Sequence, residues 1–215
     1  YGMDEPLYET GAGGSSLTQV RGFDLDTTVD LVSMLGAKSF RFRIPTGFIQ
    51  SPSQYDAEIY EYLQSASEKF REAGVTNLIG QASLFPAYSG FRPDSSSSAP
   101  RPDDENYGAW LEAVAEMWQA VAELFPEITQ WEMGNEFNTN TFFHPNGYQA
   151  IEGSLEEGVN GFTREEQVIV VTDYMYYAAK GIKAANPENI AVMPGLSPTN
   201  LNMKNVEYFI EDVYA

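Results

Sequence analysis

The stretch LEAVAEMWQAVAELFPEITQWEMGNEFN, Leu111–Asn138, holds one complete helix-to-strand unit. Leu111, Val114, Trp118, Val121 and Phe125 recur at the three- and four-residue spacing that places side chains on one face of an α-helix. Pro126 has no N–H to continue that helix. Ile128 to Met133 then reads as a short apolar strand. The same unit precedes and follows it. Leu31, Val32, Met34 and Leu35 lie on a helix over Thr27–Leu35 that stops at Gly36, before a strand over Ser39–Ile44. Ile59, Leu63, Ala66, Phe70 and Ala73 form the next apolar face, which stops at Gly74 before a strand over Asn77–Leu84. Val168, Val171, Met175, Ala178 and Ile182 form the last, which stops at Asn186-Pro187 before Ile190–Met193. A further helix is expected from near Met203, and a further strand at Tyr1-Gly2.

Short strands alternating with helices of this length predict βαβ units and a parallel sheet. The long polar loops follow strands, whereas the helix-to-strand turns span only a few residues. One rim of the sheet therefore carries the loops, and that rim is where α/β proteins build their sites. A doubly wound nucleotide fold would need a phosphate loop. Gly11-Ala12-Gly13-Gly14-Ser15-Ser16 has neither the G-x-G-x-x-G spacing nor a following Lys-Ser/Thr, and reads as a plain loop. A (β/α)8 barrel fits the asymmetry better but takes about 250 residues. The expectation is an α/β fold: an incomplete (β/α)8 barrel holding about strands one or two to five, with residues 1–215 as the N-terminal part of one catalytic domain. Arg92 to Asn106, with its serine run Ser95–Ser98, is expected to be a mobile or disordered rim loop.

Composition narrows the chemistry. The chain has 215 residues, 43% of them hydrophobic, which is enough for a packed core. Its net charge of −19 argues against nucleic acid and anionic membranes as partners. No apolar run is long enough for a membrane-spanning helix. There is no cysteine and one histidine, so thiolate metal sites, disulfides and a Ser-His-Asp triad are not expected, nor is any metal or other cofactor. Carboxylates, amides, arginines and tyrosines remain. The chain opens on Tyr1 and is expected to be a processed or cropped segment.

Glu132 and Glu136 stand out because they lie on a strand that should be buried, and an unpaired buried carboxylate costs several kcal/mol. Alternation puts Glu132, Gly134 and Glu136 on one face, with Glu136 at the rim. Arg41 and Arg43 share the corresponding face of Phe40-Arg-Phe-Arg-Ile-Pro45. A buried Arg41–Glu132 pair is expected as the structural part of this site. Trp110, Trp118 and Tyr174 lie at helical spacing and read as core. The loop aromatics Phe85, Tyr88, Phe91, Phe137, Phe142, Phe143 and Tyr148 could stack on an apolar face of a ligand. His144, after Phe142-Phe143, reads equally well as a subsite border and as a surface-loop residue.

Trp131-Glu-Met-Gly-Asn-Glu136 resembles the acid/base strand of the clan A retaining glycoside hydrolases, whose fourth barrel strand ends in Asn-Glu. Arg43-Ile-Pro45, two units earlier, resembles the clan's second strand. The resemblance implies hydrolysis of O-glycosyl bonds in a β-linked poly- or oligosaccharide, with Glu136 as general acid and then base. It implies that Asn135 binds the sugar 2-hydroxyl, that Arg43 orients the nucleophilic carboxylate, and that Phe137, Tyr88 and His144 border the substrate. An extracellular or periplasmic setting is expected. The pattern also departs from the clan. The clan's third-strand histidine is replaced by Gln81 and Ser83, and its nucleophilic Glu follows strand seven. Glu207 and Glu211 lie on a helix instead, so the nucleophile is expected outside this chain, on the remaining barrel half or another chain. The alternative is a non-catalytic carbohydrate-binding or assembly half-barrel. A barrel isomerase or aldolase would need a strand-end Lys and a phosphate loop.

Overall fold

The computed structural model describes residues 2–6, 25–45, 48–87, 92–93, 97–151, 158–197 and 209–213. Five strands form a parallel sheet: β1 (Gly2–Pro6), β2 (Ser39–Arg43), β5 (Asn77–Ala82), β7 (Gln130–Met133) and β11 (Ile190–Val192). Their spatial order β1-β2-β5-β7-β11 is also their order along the chain. Helices α1 (Leu25–Met34), α2 (Ala57–Glu72), α3 (Tyr107–Leu124) and α4 (Arg164–Ala185) lie between successive strands. The expected parallel α/β repeat is present, with helices starting two to four residues earlier than the sequence pattern marks. Side-chain caps set the start of two of them. Asp56 accepts a hydrogen bond from the Ile59 N–H, and Thr163 and Glu166 cap each other reciprocally ahead of α4.

One face of the sheet packs on the helices. Phe40 and Phe42 of β2 and Ile44 just beyond it are buried there, with the Phe40 ring stacked on Phe70 of α2 at 4.1 Å. Trp131 of β7 meets Trp118 of α3 edge to face. Its ring fills the space over Gly80, where an added Cβ would lie 2.5 Å from it, so β5 needs a glycine beside that indole. The opposite face carries Arg41, Arg43, Gln81 and Glu132.

Several small pairings organise the rim. β3 (Ile49–Ser51) pairs with β4 (Gln54–Tyr55), and β9 (Gln149–Ala150) with β10 (Gly158–Val159), both antiparallel. β6 (Ser98–Ala99) runs parallel to β8 (His144–Pro145). This corrects part of the reading of residues 92–106. Ser98 and Ala99 are fully buried, because the loop after β7 supplies the backbone partners that the serine run alone does not reveal. Gly11–Ser16, Tyr88 and Phe91 lie outside the described residues. Among the described residues no helix is long and apolar enough to cross a membrane.

Candidate active site

The sheet's strand ends bring Arg41, Arg43, Gln81, Glu132, Asn135 and Glu136 together. The parallel register aligns Arg41 with Ile79 and Arg43 with Gln81, and aligns Gln81 in turn with Glu132. Polar side chains from three adjacent strands thus share one face in two layers.

The lower layer is an ion pair. Arg41 Nε donates to Glu132 Oε2 at 2.6 Å and its Nη2 to Oε1 at 2.8 Å. The two side chains are 20% and 11% exposed, so the pair is mostly shielded from water. Oε1 also accepts the Gly195 N–H at 3.0 Å, which ties the loop after β11 to the same carboxylate. Arg41 Nη2 reaches upward as well, donating to Asn135 Oδ1 at 3.1 Å.

The upper layer runs through Gln81. Arg43 Nε donates to Gln81 Oε1 at 3.1 Å, and Gln81 Nε2 donates to the Gly134 carbonyl at 3.0 Å. Gln81 is buried, and a buried amide is stable only with such partners. Sequence reasoning noted it only as the residue standing where a histidine was expected. The available signal was its inward register beside Arg43.

The strand ends at Met133, and here alternation fails as a guide. Gly134 has φ +116° and Glu136 φ +50°. A Cβ at Gly134 would lie 2.0 Å from the Phe137 ring, so this turn needs glycine for both its conformation and its space. Left-handed backbone at a glutamate costs on the order of 1–3 kcal/mol and is characteristic of functional sites. The turn carries Asn135 to the Arg41 side, where strict alternation would have placed it on the helix face. Hydrogen bonds hold the strained residue. Glu136 N–H donates to the Gly195 carbonyl at 2.8 Å, and the Asn138 amide exchanges two hydrogen bonds with the Ser197 backbone, each 2.8 Å. Glu136 itself is half-buried, and among the described residues its carboxylate has no hydrogen-bond or ion-pair partner.

Two expected substrate contacts are corrected. Phe137 is 0% exposed, packed among Phe85, Phe143 and Tyr174, because the turn at Gly134 directs its ring into the core rather than the cleft. His144 is buried too. Its Nδ1 lies 2.9 Å from the Pro145 carbonyl, an acceptor only, and its ring packs on Tyr148. Phe137 is a packing residue, and His144 is held within the loop after β7 rather than lying on its surface. Tyr174 anchors the aromatic cluster from α4, donating to the Leu84 carbonyl at 3.1 Å and accepting from Trp118 Nε1 at 3.1 Å. Burial pushes its phenol above the ordinary value, so it stays protonated. Among the described residues no cluster of His, Asp and Glu could hold a metal ion.

No family model and no curated protein matches the chain. Solved structures do. A glycoside hydrolase family 5 enzyme from Prevotella bryantii matches 95% of this chain and 57% of its own, at TM-score 0.59 and 12% identity. A GH5-4 broad specificity endoglucanase from Clostridium acetobutylicum matches 92% of this chain and 53% of its own, at TM-score 0.55 and 18% identity. An exo-beta-1,4-mannosidase from an Opitutaceae bacterium matches 88% of this chain and 30% of its own, at TM-score 0.54 and 17% identity. The chain thus spans roughly a third to somewhat over half the length of these structures. At such identities the likeness speaks to the fold alone: the five parallel strands and their helices form an incomplete (β/α)8 barrel like that of the family 5 glycoside hydrolases.

Proposed function

We propose that this chain carries the general acid/base of a retaining glycoside hydrolase acting on a β-linked poly- or oligosaccharide. The observation that carries the reading is the contrast at the end of β7, where Glu132 is fully engaged while Glu136 keeps an open carboxylate on a clamped, left-handed turn. Glu136 gives its proton to the glycosidic oxygen as the bond to the anomeric carbon breaks. A second carboxylate, about 5 Å away in a retaining site, attacks that carbon to form a covalent glycosyl intermediate. Glu136 then takes a proton from the water that releases the sugar. The nucleophile comes from outside these 215 residues, on strands supplied by the rest of the same domain or by another chain. Asn135 donates to the sugar 2-hydroxyl, and Arg43, braced by Gln81, faces the nucleophile's side of the sheet. The site needs no metal or cofactor for this chemistry, and an extracellular or periplasmic setting suits a polymeric substrate.

The similar structures support the substrate class. The Prevotella enzyme is known in complex with a xyloglucan tetradecasaccharide, and a related lichenase with cellotetraose. The test is Glu136→Gln in the full-length protein. Turnover of an unactivated β-glycan should fall by about 10² to 10⁴, the usual worth of a positioned acid. The kcat/KM for aryl glycosides with good leaving groups, which reports only the first step, should fall far less, because those groups leave without protonation. Equal loss on both substrate types would overturn the assignment.

A further inference from the structure

The loop that carries Asn135 has left the sheet, so no ladder hydrogen bond orients that residue. Its terminal amide torsion is intrinsically broad and roughly two-fold, with oxygen and NH2 able to exchange places. Asn135 Oδ1 nevertheless faces Arg41 Nη2 at 3.1 Å. A guanidinium only donates, so the amide edge turned toward it must be the oxygen. The NH2 is left on the other edge, available to donate elsewhere. The guanidinium cannot swing to follow the amide. Two of its nitrogens are engaged with both oxygens of Glu132, and that carboxylate is itself held by the Gly195 N–H. The chain Gly195–Glu132–Arg41–Asn135 therefore transmits the rigid geometry of β7 and the β11 loop to one side-chain amide.

We propose that Arg41 is a positioning residue that fixes the Asn135 amide with its NH2 toward the substrate, and so sets the site's discrimination for a sugar hydroxyl beside the reacting carbon. The substrate half of this statement rests on the glycosidase reading; the positioning half rests on the network alone. Lysine cannot replace Arg41, because a point charge drawn to Glu132 lacks the fork that reaches both partners.

The experiment compares the full-length parent with Arg41→Lys, Asn135→Ala and the double variant on aryl β-glycosides with and without the 2-hydroxyl. Losing one oriented hydrogen bond should cost Arg41→Lys about tenfold in kcat/KM on the 2-hydroxy substrate, chiefly in kcat. The same variant should lose less than about twofold on the 2-deoxy substrate, and add nothing to Asn135→Ala, because both then lack the same contact. Equal losses on both substrates, or losses that multiply in the double variant, would overturn the proposal while leaving Glu136 in its role. Asn135→Asp guards against misfolding of the lysine variant. It keeps an acceptor for Arg41 but replaces the amide donor by an oxygen that can only accept from the hydroxyl, so it should melt no lower than the parent and show a reduced 2-hydroxyl preference. Retained preference would count against the proposal. Should the parent hydrolyse neither substrate, the glycosidase reading falls, and crystal structures of parent and Arg41→Lys then decide the positioning. A reversed or disordered Asn135 amide in the variant is the expected result, and an unmoved amide refutes it.

Discussion

Around Glu132 the chain is still strand, extended and paired on both sides, and its carboxylate is surrounded by donors from Arg41 and the Gly195 backbone. Around Glu136, four residues on, the strand has ended, the backbone is left-handed, and the clamps act on main chain rather than on the carboxylate. The same residue type thus serves two ends. A carboxylate whose lone pairs are filled by protein is a structural part, because its loss removes several hydrogen bonds at once. A carboxylate held in place through its backbone, with the side chain left over, is available for chemistry.

The sharpest way to break this comparison is one substitution made at both positions. Glu132→Gln should destabilise the protein by about 2 kcal/mol in urea unfolding, because it removes the charge that accepts both Arg41 hydrogen bonds and the Gly195 N–H. Glu136→Gln should stay within about 0.5 kcal/mol of the parent, because the nearly isosteric amide breaks no side-chain contact there. Similar losses at both sites would mean that Glu136 has a structural partner after all.

A smaller effect of opposite sign comes from the backbone. Glu136→Gly removes the side chain but relieves the left-handed strain, so the variant should be more stable than the parent by about 1 kcal/mol and inactive. Thermal unfolding checks this, and a destabilised glycine variant would show that φ +50° is not a strained state here.

The smallest effect concerns a third carboxylate, Glu166, which is ion-paired and partly exposed. Its slight burial favours the neutral acid, but hydrogen bonds from Thr163 and Arg101 prevail and hold its pKa below the ordinary 4.5. A lowered folded-state pKa means that the tether between Arg101 and α4 is complete above pH 4.5 and is lost as pH falls through the folded value. Glu166→Gln should therefore lower the melting temperature at neutral pH and converge with the parent in acid. A gap that stays constant with pH would show that the charge contributes nothing.

Much of this was legible in the sequence wherever periodicity reports burial. The apolar faces of α2 and α3 and the alternation in β2 name their buried residues directly, since burial repeats with the geometry of the element, whereas in α4 Val168 and Met175 are only half-buried. The pairing of Arg41 with Glu132 follows from the same alternation. Phe137 and His144 were misread because loop aromatics carry no period, and whether a ring lies on a cleft or beneath it depends on a turn made elsewhere.

The sequence by itself determined the parallel α/β frame, the strands that bear arginine and glutamate, and the rim on which a site would form. Those are local properties: spacing, caps and breakers act within a few residues and need no partner. Only the tertiary structure decided where β7 stops, that Gln81 bridges Arg43 to the Gly134 carbonyl, and that the loop after β11 grips Glu132, Glu136 and Asn138. The bridge and the grip join residues 38 to 63 positions apart through one or two hydrogen bonds each. Such contacts leave no periodic trace in the chain, because they come into being only when separate strands are brought to the same edge of the sheet.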